Sequence, residues 1–283
     1  MADGCRTQIA LAVGASASSL RGVSVHLTIL GSGSSGNSSY LETEEVRLLI
    51  DAGLSARQIR QRLLSIQRTP ENLTGILITH EHSDHIGGLA VLASKLGIPV
   101  YCNRLTREAI QETLQVPFDF RIFATGSAFA IGSLEVEPFS IPHDANDPVG
   151  FLIRTPFANI GCVTDLGHFT KLVAERLRPA QVVMLEANHD IKLLQDDLRR
   201  PWSLKQRILS RHGHLSNEAA ADAVSQLASA ELRHVVLAHL SQDCNRPELA
   251  LRIVGERLRG LGATHVQVAA AAQDAPAATI SLG

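Results

Sequence analysis

The chain has 283 residues, 45% of them apolar, enough to bury a sizeable core as one α/β domain or two small ones. Its formal net charge is −2, so no global field draws it to nucleic acid or to an anionic membrane, and any polyanion has to be held locally. No apolar run reaches the roughly eighteen residues of a membrane span, and Cys5, Cys102, Cys162 and Cys244 form no C-x-x-C pattern, which fits unpaired thiols in a reducing, cytoplasmic setting.

Along the chain, Arg6, the apolar stretch Ile9–Val13 and Ala15-Ser-Ala17 give a faint signal-peptide shape. Its apolar core is short and Asp3 stands where basic residues belong. Residues 1–22 therefore read as a disordered or misassigned extension. Strands are expected at Val25–Leu30, Ser39–Glu42 and Val46–Asp51, then a helix at Ala56–Ser65, where Ile59, Leu63 and Ile66 fall at helical spacing. A buried strand over 75–79 leads to a helix at Ile86–Leu96, stopped by Gly97-Ile-Pro99. Val100–Cys102 reads as a strand and Arg104–Leu114 as a helix. The pattern then returns to β at Arg121–Phe123, Ser127–Ile131, Leu134–Ile141, Val149–Arg154 and Asn159–Thr164. Helix Phe169–Leu177 and strand Val182–Glu186 follow, with helices near 191–198 and 203–210. Ser216 is an N-cap for helix Asn217–Ala228; strand Val235–His239, a helix from Pro247 to Leu258 and strand Val266–Val268 complete the set. This order predicts an α/β chain of two β-then-α halves, sheets face to face and helices outside, in one domain over 23–268. The Ala-rich tail 269–283 is expected to fray.

The most informative stretch is Thr79-His-Glu-His-Ser-Asp-His85, followed by Ile-Gly-Gly. His80, His82, Asp84 and His85 offer imidazole nitrogen and carboxylate oxygen, the donors that suit zinc and similar divalent ions. Neighbouring side chains of an extended segment point to opposite sides, so the spacing suits two adjacent ions, with His80 and His82 on one and Asp84 and His85 on the other. Gly87 and Gly88 let the chain turn closely beneath them. The further ligands stand where buried strands end: His143, Asp165 and His239. They complete one set of His80, His82 and His143 and another of Asp84, His85 and His239, with Asp165 between.

In order and content these motifs resemble the metallo-β-lactamase fold, over nearly everything from Val25 to Leu258. Leu49-Ile-Asp51-Ala-Gly53 resembles the family's early strand end, whose Asp supports the metal loop. The resemblance implies an αββα four-layer sandwich with a dinuclear site in the cleft between its halves. Pro142-His143, running on to Gly150-Phe151, resembles the phosphodiesterase branch, and Gly213-His214-Leu-Ser216 resembles a helix start of ribonuclease Z. With Gly31-Ser-Gly-Ser-Ser-Gly36-Asn37 and His239-Leu-Ser241, they are most similar to the WalJ (YycJ) type, whose members are regarded as DNA exonucleases or phosphodiesterases. The Gly-rich loop also matches a dinucleotide fingerprint, but strands follow it rather than a helix. Ser34, Ser35 and Asn37 are instead candidates to line the cleft. No insertion resembles the tRNA-binding arm of ribonuclease Z, and no β-CASP-like domain separates Asp165 from His239, which argues against tRNA maturation.

Two divalent metal ions, zinc or alternatively manganese, would turn a shared water into hydroxide near neutral pH for attack on phosphorus. Asp84 and His214 are the catalytic candidates, His214 as proton donor to the leaving group; the alternative for His214 is a plain loop histidine. Glu186 and His189 are candidates to orient metals or His214, or to serve structure alone. Arg199, Arg200, Trp202, Lys205, Arg207 and Arg211, with Ser216, are candidates to hold a DNA backbone and stack a base; a solvated helix face is the alternative. A small ester, thiolester, lactone or β-lactam is the alternative substrate on the same metals, and a non-catalytic binding role is a third reading.

Overall fold

Strand by strand, apolar residues occupy both faces, so every strand of the interior has to be covered twice. The computed structural model, which describes residues 24–283, meets that demand with two seven-stranded sheets packed face to face and helices on both outer surfaces. The expectation for residues 1–22 lies outside the described residues. In the first sheet β1 (Val25–Gly31), β2 (Ser38–Glu42) and β3 (Arg47–Ile50) are antiparallel. β4 (Gly75–Leu77), β5 (Val100–Cys102) and β6 (Phe120–Ile122) then extend it in parallel from β3. In the second sheet β7 (Phe129–Ile131), β8 (Leu134–Ser140), β9 (Val149–Arg154) and β10 (Asn159–Val163) form an antiparallel meander. From β10 it continues in parallel through β11 (Val182–Glu186), β12 (His234–Ala238) and β13 (Gln267–Ala270).

The period of two sorts the side chains into three apolar cores. Leu27, Ile29, Leu48 and Ile50 meet Phe151, Ile153, Cys162 and Met184 between the sheets. Their neighbours point outward. Leu49, Ile76 and Ile78 pack beneath the helices α1 (Ala56–Ser65), α3 (Leu89–Leu96) and α4 (Arg104–Leu114), with the short α2 (Ser83–Ile86) before α3. Leu152, Val163, Val183 and Leu237 pack beneath α5 (Lys171–Leu177), α8 (Asn217–Leu227) and α9 (Pro247–Gly260). The short helices α6 (Ile191–Asp196) and α7 (Trp202–Ile208) lie in the connection from β11 to α8. Helix starts follow their caps: Ser55 and Gln58 form a capping box on α1, and the Ser216 hydroxyl accepts from Ala219 N on α8.

Two expectations are corrected. The helix expected at Ile86–Leu96 starts three residues later, as α3, and a short α2 precedes it across Gly87-Gly88. The backbone there passes so close to its neighbour that a Cβ on Gly88 would lie 2.1 Å from the Leu54 carbonyl oxygen. The tail does not fray. β14 (Ile280–Leu282) pairs antiparallel with β1 and completes the first sheet, and Ala277 N donates to Ile29 O at 2.9 Å. The ordered fold thus runs past residue 268. No helix among the described residues is long and apolar enough to cross a membrane.

β8, β10, β11 and β12 all run in one direction, as do β3 and β4. Their carboxyl ends form the rim on which the polar residues collect.

Candidate metal centre and active site

Asp51 follows β3 and turns sharply, at a φ of 60°. Its Oδ1 accepts from Thr79 N at 2.9 Å, and its Oδ2 accepts from Thr79 Oγ1 at 2.9 Å and from His85 Nδ1 at 2.8 Å. One carboxylate so fixes both ends of the 79–85 loop. The loop is seated from below as well: Ala52 N donates to His85 O at 2.8 Å, and a Cβ on Gly53 would fall 1.5 Å from Asp84 O. Only glycine permits that approach.

The strand ends bring two ligand sets together. The donor atoms of His80, His82 and His143 lie within 4.8 Å of one another, and so do those of Asp84, His85, Asp165 and His239. Asp165 reaches both: its Oδ1 is 3.8 Å from His143 Nε2 and 3.6 Å from His239 Nε2, while its Oδ2 is 3.0 Å from His85 Nε2. The oxygens behind the rings decide which nitrogen faces inward. His85 Nδ1 donates to Asp51, His143 Nδ1 to Gly213 O at 3.2 Å, and His239 Nδ1 to Glu186 at 2.9 Å. Each ring therefore turns Nε2 toward the interior.

Those nitrogens crowd against further ligand-type atoms. His239 Nε2 is 3.2 Å from Asp84 Oδ2, and His143 Nε2 is 3.2 Å from His82 Nδ1. His80 Nε2 and Asp165 Oδ2 are buried with no hydrogen-bond partner. Asn37 Nδ2, 3.3 Å from Asp84 Oδ2 and 3.1 Å from His85 Nε2, is one donor among many ligand-type atoms, and so dense a buried cluster of carboxylate and imidazole is unfavourable unless a cation lies within it. Imidazole nitrogen and carboxylate oxygen are the donors that a zinc-like divalent ion takes. The residues fit such ions. The surrounding field agrees. Burial pulls His239 down, yet Asp165, Asp84 and Glu186 push it up to about 10. Burial likewise opposes the charge of Asp165, yet His239 and His85 hold it well below the usual carboxylate range.

Behind this centre Glu186, at the end of β11, is fully buried. Its Oε1 accepts from His214 Nδ1 at 2.8 Å and from His239 Nδ1 at 2.9 Å; its Oε2 accepts from Leu166 N and Leu215 N, each at 2.9 Å. Burial alone raises a carboxylic acid, but His214 and these bonds bring Glu186 down to about 2, so it stays ionised. The ion pair acts back on His214: burial lowers it, but Glu186 and Asp165 raise it above the ordinary imidazole range. The His214 side chain is 22% exposed and lines a cleft of about 280 Å³ beside the centre.

A family described as a β-lactamase superfamily domain matches residues 46–240. Exodeoxyribonuclease YycJ of Bacillus anthracis is 39% identical over 240 residues, which are 84% of this chain and 90% of that protein. Exodeoxyribonuclease WalJ of Streptococcus pneumoniae serotype 2 is 41% identical over 227 residues, 79% of this chain and 84% of that one. The chain belongs to the WalJ/YycJ family of the β-lactamase superfamily. Among solved structures, the metallo-β-lactamase fold protein YhfI from Bacillus subtilis is similar with a TM-score of 0.68, covering 92% of this chain and 99% of that chain at 16% identity, a likeness of fold alone.

In this WalJ/YycJ-family chain the basic segment before His214 is dispersed. Arg200 and Arg207 line the cleft with Ser34 and Asn188. Each is already paired: Arg200 with Asp197 and Asp243, and Arg207 with Asp144. Arg199 pairs with Asp197 and Asp243, and Arg211 Nη2 lies 2.9 Å from His168 Nε2 at the surface. Trp202 opens α7 and is 62% exposed. Two expected substrate contacts lie outside the cleft lining. Lys205 is buried, its Nζ donating to Gln195 O at 2.6 Å, and the Ser216 hydroxyl is occupied by the α8 cap. His189 is buried with neither ring nitrogen bonded, and burial pushes it down to about 4; it belongs to neither ligand set.

Several holding residues were not singled out from sequence. Thr79 braces Asp51, Ser32 Oγ accepts from His239 N at 2.8 Å, and Asn188 Nδ2 donates to His239 O at 2.9 Å. Their one signal is position, since Thr79 directly precedes His80 and Asn188 follows Glu186 by two residues.

Proposed function

We propose that this protein is a dinuclear metal-dependent phosphodiesterase that degrades DNA as an exonuclease. The observation that carries the reading is the junction of two ligand sets at Asp165 with a Glu186-held imidazole beside them at the cleft. The WalJ and YycJ relatives supply the nuclease activity by their names. On this reading His80, His82 and His143 hold one ion, Asp84, His85 and His239 hold the other, and Asp165 is shared. When bound, two divalent ions supply an activated water and neutralise charge on phosphoryl oxygens.

The chain's own residues do the rest. Asp51, Glu186 and the Gly213 carbonyl hold Nδ1 of His85, His239 and His143 and so aim each Nε2 inward. His214, poised as an imidazolium by Glu186, delivers a proton to the leaving alkoxide. Arg200 and Arg207 meet the phosphate backbone at the cleft wall, and exposed Trp202 stacks on a base. The histidine-rich donor set favours zinc, and reconstitution with zinc against manganese distinguishes the two.

The test is turnover by the metal-loaded protein on 5′-phosphorylated DNA, nitrocefin and a lactoylglutathione thiolester. Shortening of DNA from an end, with the other two intact, is the expected result. Hydrolysis of nitrocefin or the thiolester with DNA untouched would sink the proposal in favour of a small-molecule hydrolase.

A further inference from the structure

We propose that Gln273, in the alanine-rich C-terminal segment, is a positioning residue for the metal centre and acts through the Gly-Ser loop after β1. The segment is first laid against both sheets: Ala271 N donates to Leu237 O at 2.8 Å in β12, and Ser32 N donates to Ala272 O at 3.0 Å. The Gln273 amide then grips the loop from two sides. Its Oε1 accepts from Ser35 N at 2.9 Å and its Nε2 donates to Gly36 O at 2.9 Å.

The inner side of the same loop carries the ligands. Ser32 Oγ accepts from His239 N at 2.8 Å and donates to Asn37 Oδ1 at 2.9 Å. Asn37 N donates to Asp84 O at 2.7 Å, and Asn37 Nδ2 donates to Asp84 Oδ2 at 3.3 Å. Asp84 comes from the first sheet and His239 from the second, so this loop joins ligands that the two halves deliver separately. Ser34 and Ser35 at the loop's tip are exposed. The loop braces itself through Gly36 N to Gly33 O and Gly33 N to Asn37 Oδ1, and the Gln273 amide adds the outer restraint on its exposed tip. By contrast, His80, His82 and His143 take no bond from this loop.

The inference rests on Asp84, His85 and His239 holding one ion. Groups that orient metal ligands are worth tenfold to a hundredfold in affinity, and Gln273 stands one link further out, so a loss of about tenfold is expected, on one ion only. Cobalt(II) titrated into the metal-free full chain, followed by visible absorption, reads the two ions separately. Gln273→Ala should weaken one ion about tenfold, leave the other at wild-type affinity, and leave the melting temperature of the metal-free protein unchanged. Ser32→Ala should weaken the same ion, and the double variant should fall short of the sum of the two losses, because both residues act through one chain of bonds. Unchanged affinities in Gln273→Ala would overturn the inference. So would equal weakening of both ions with a lowered metal-free melting temperature, which marks general loosening of the fold. A wild-type protein that binds fewer than two ions would remove the metal assignment and this inference with it.

Discussion

His214 and His239 share a single oxygen atom: Nδ1 of each donates to Oε1 of Glu186, at 2.8 and 2.9 Å. One ring faces the ligand set and the other faces the cleft, so a buried carboxylate fixes the orientation of a metal-ligand candidate and of the proposed proton donor together. Its other oxygen is held by two backbone amides, and Glu186 cannot rotate to favour one histidine over the other.

Replacing His214 by alanine removes the proposed donor and leaves the His80 and His85 ligand sets untouched, although His214 also falls in a third ligand-type group with Asp165, Glu186 and His239. A fall in turnover of about 10²- to 10⁴-fold is expected, the range for a general acid, with metal content by elemental analysis equal to wild type. Loss of metal in His214→Ala would assign the residue to ligation instead.

The pH profile follows from the ion pair. Glu186 raises His214, so its acid form persists to higher pH than that of a free imidazole, and kcat is expected to fall as pH climbs past the raised value. In Glu186→Gln that support is gone and the alkaline limb should move to lower pH. An alkaline limb at the same pH in both proteins would show that another group sets it.

Removing the ions should lower stability without unfolding the chain. The three apolar cores are complete without the centre, and a ligand present at about a hundred times its Kd adds about 2.7 kcal/mol to the folded state. Calorimetry should therefore show a lower melting temperature after chelation, restored by added zinc, with far-ultraviolet circular dichroism unchanged. A melting temperature indifferent to chelator and zinc would contradict metal binding at this site.

Gly53→Ala tests the seat of the metal loop from a position that touches no ligand side chain. The new Cβ overlaps Asp84 O at 1.5 Å and must push the loop outward. A displacement on the scale of an ångström costs about 10²-fold in rate, and metal affinity should drop alongside it. Wild-type kcat in a well-folded Gly53→Ala protein would mean that the loop has slack.

Much of this was legible in the sequence because the strands are buried on both faces. Such strands read as unbroken apolar runs, so a His or Asp at the end of one stands out, as Asp165 does after Ile160–Val163 and His239 after Val235–Ala238. The division of the loop into His80 with His82 and Asp84 with His85 was likewise readable from spacing, and it matches the groups that the structure brings together. What escaped depends on contacts between distant parts of the chain. Ile280–Leu282 has no pattern of its own and becomes a strand only against the free edge of β1. At Gly87-Gly88 the neighbouring backbone dictates the residue type, since a Cβ on Gly88 would collide with Leu54 O. Lys205 looks like any cation on a basic helix face until Gln195 O closes over it.

Asp51, Asp165 and His239 each have a φ between 54° and 60°. An L-residue visits this left-handed region reluctantly. At each of these strand ends the chain reverses handedness to throw a polar side chain back over the rim. Glycine would sit there with less torsional discomfort, but it would have nothing to throw. At these three positions the residue that suits the backbone and the residue that suits the chemistry are different, so selection for a sturdier fold and selection for a working rim pull in opposite directions.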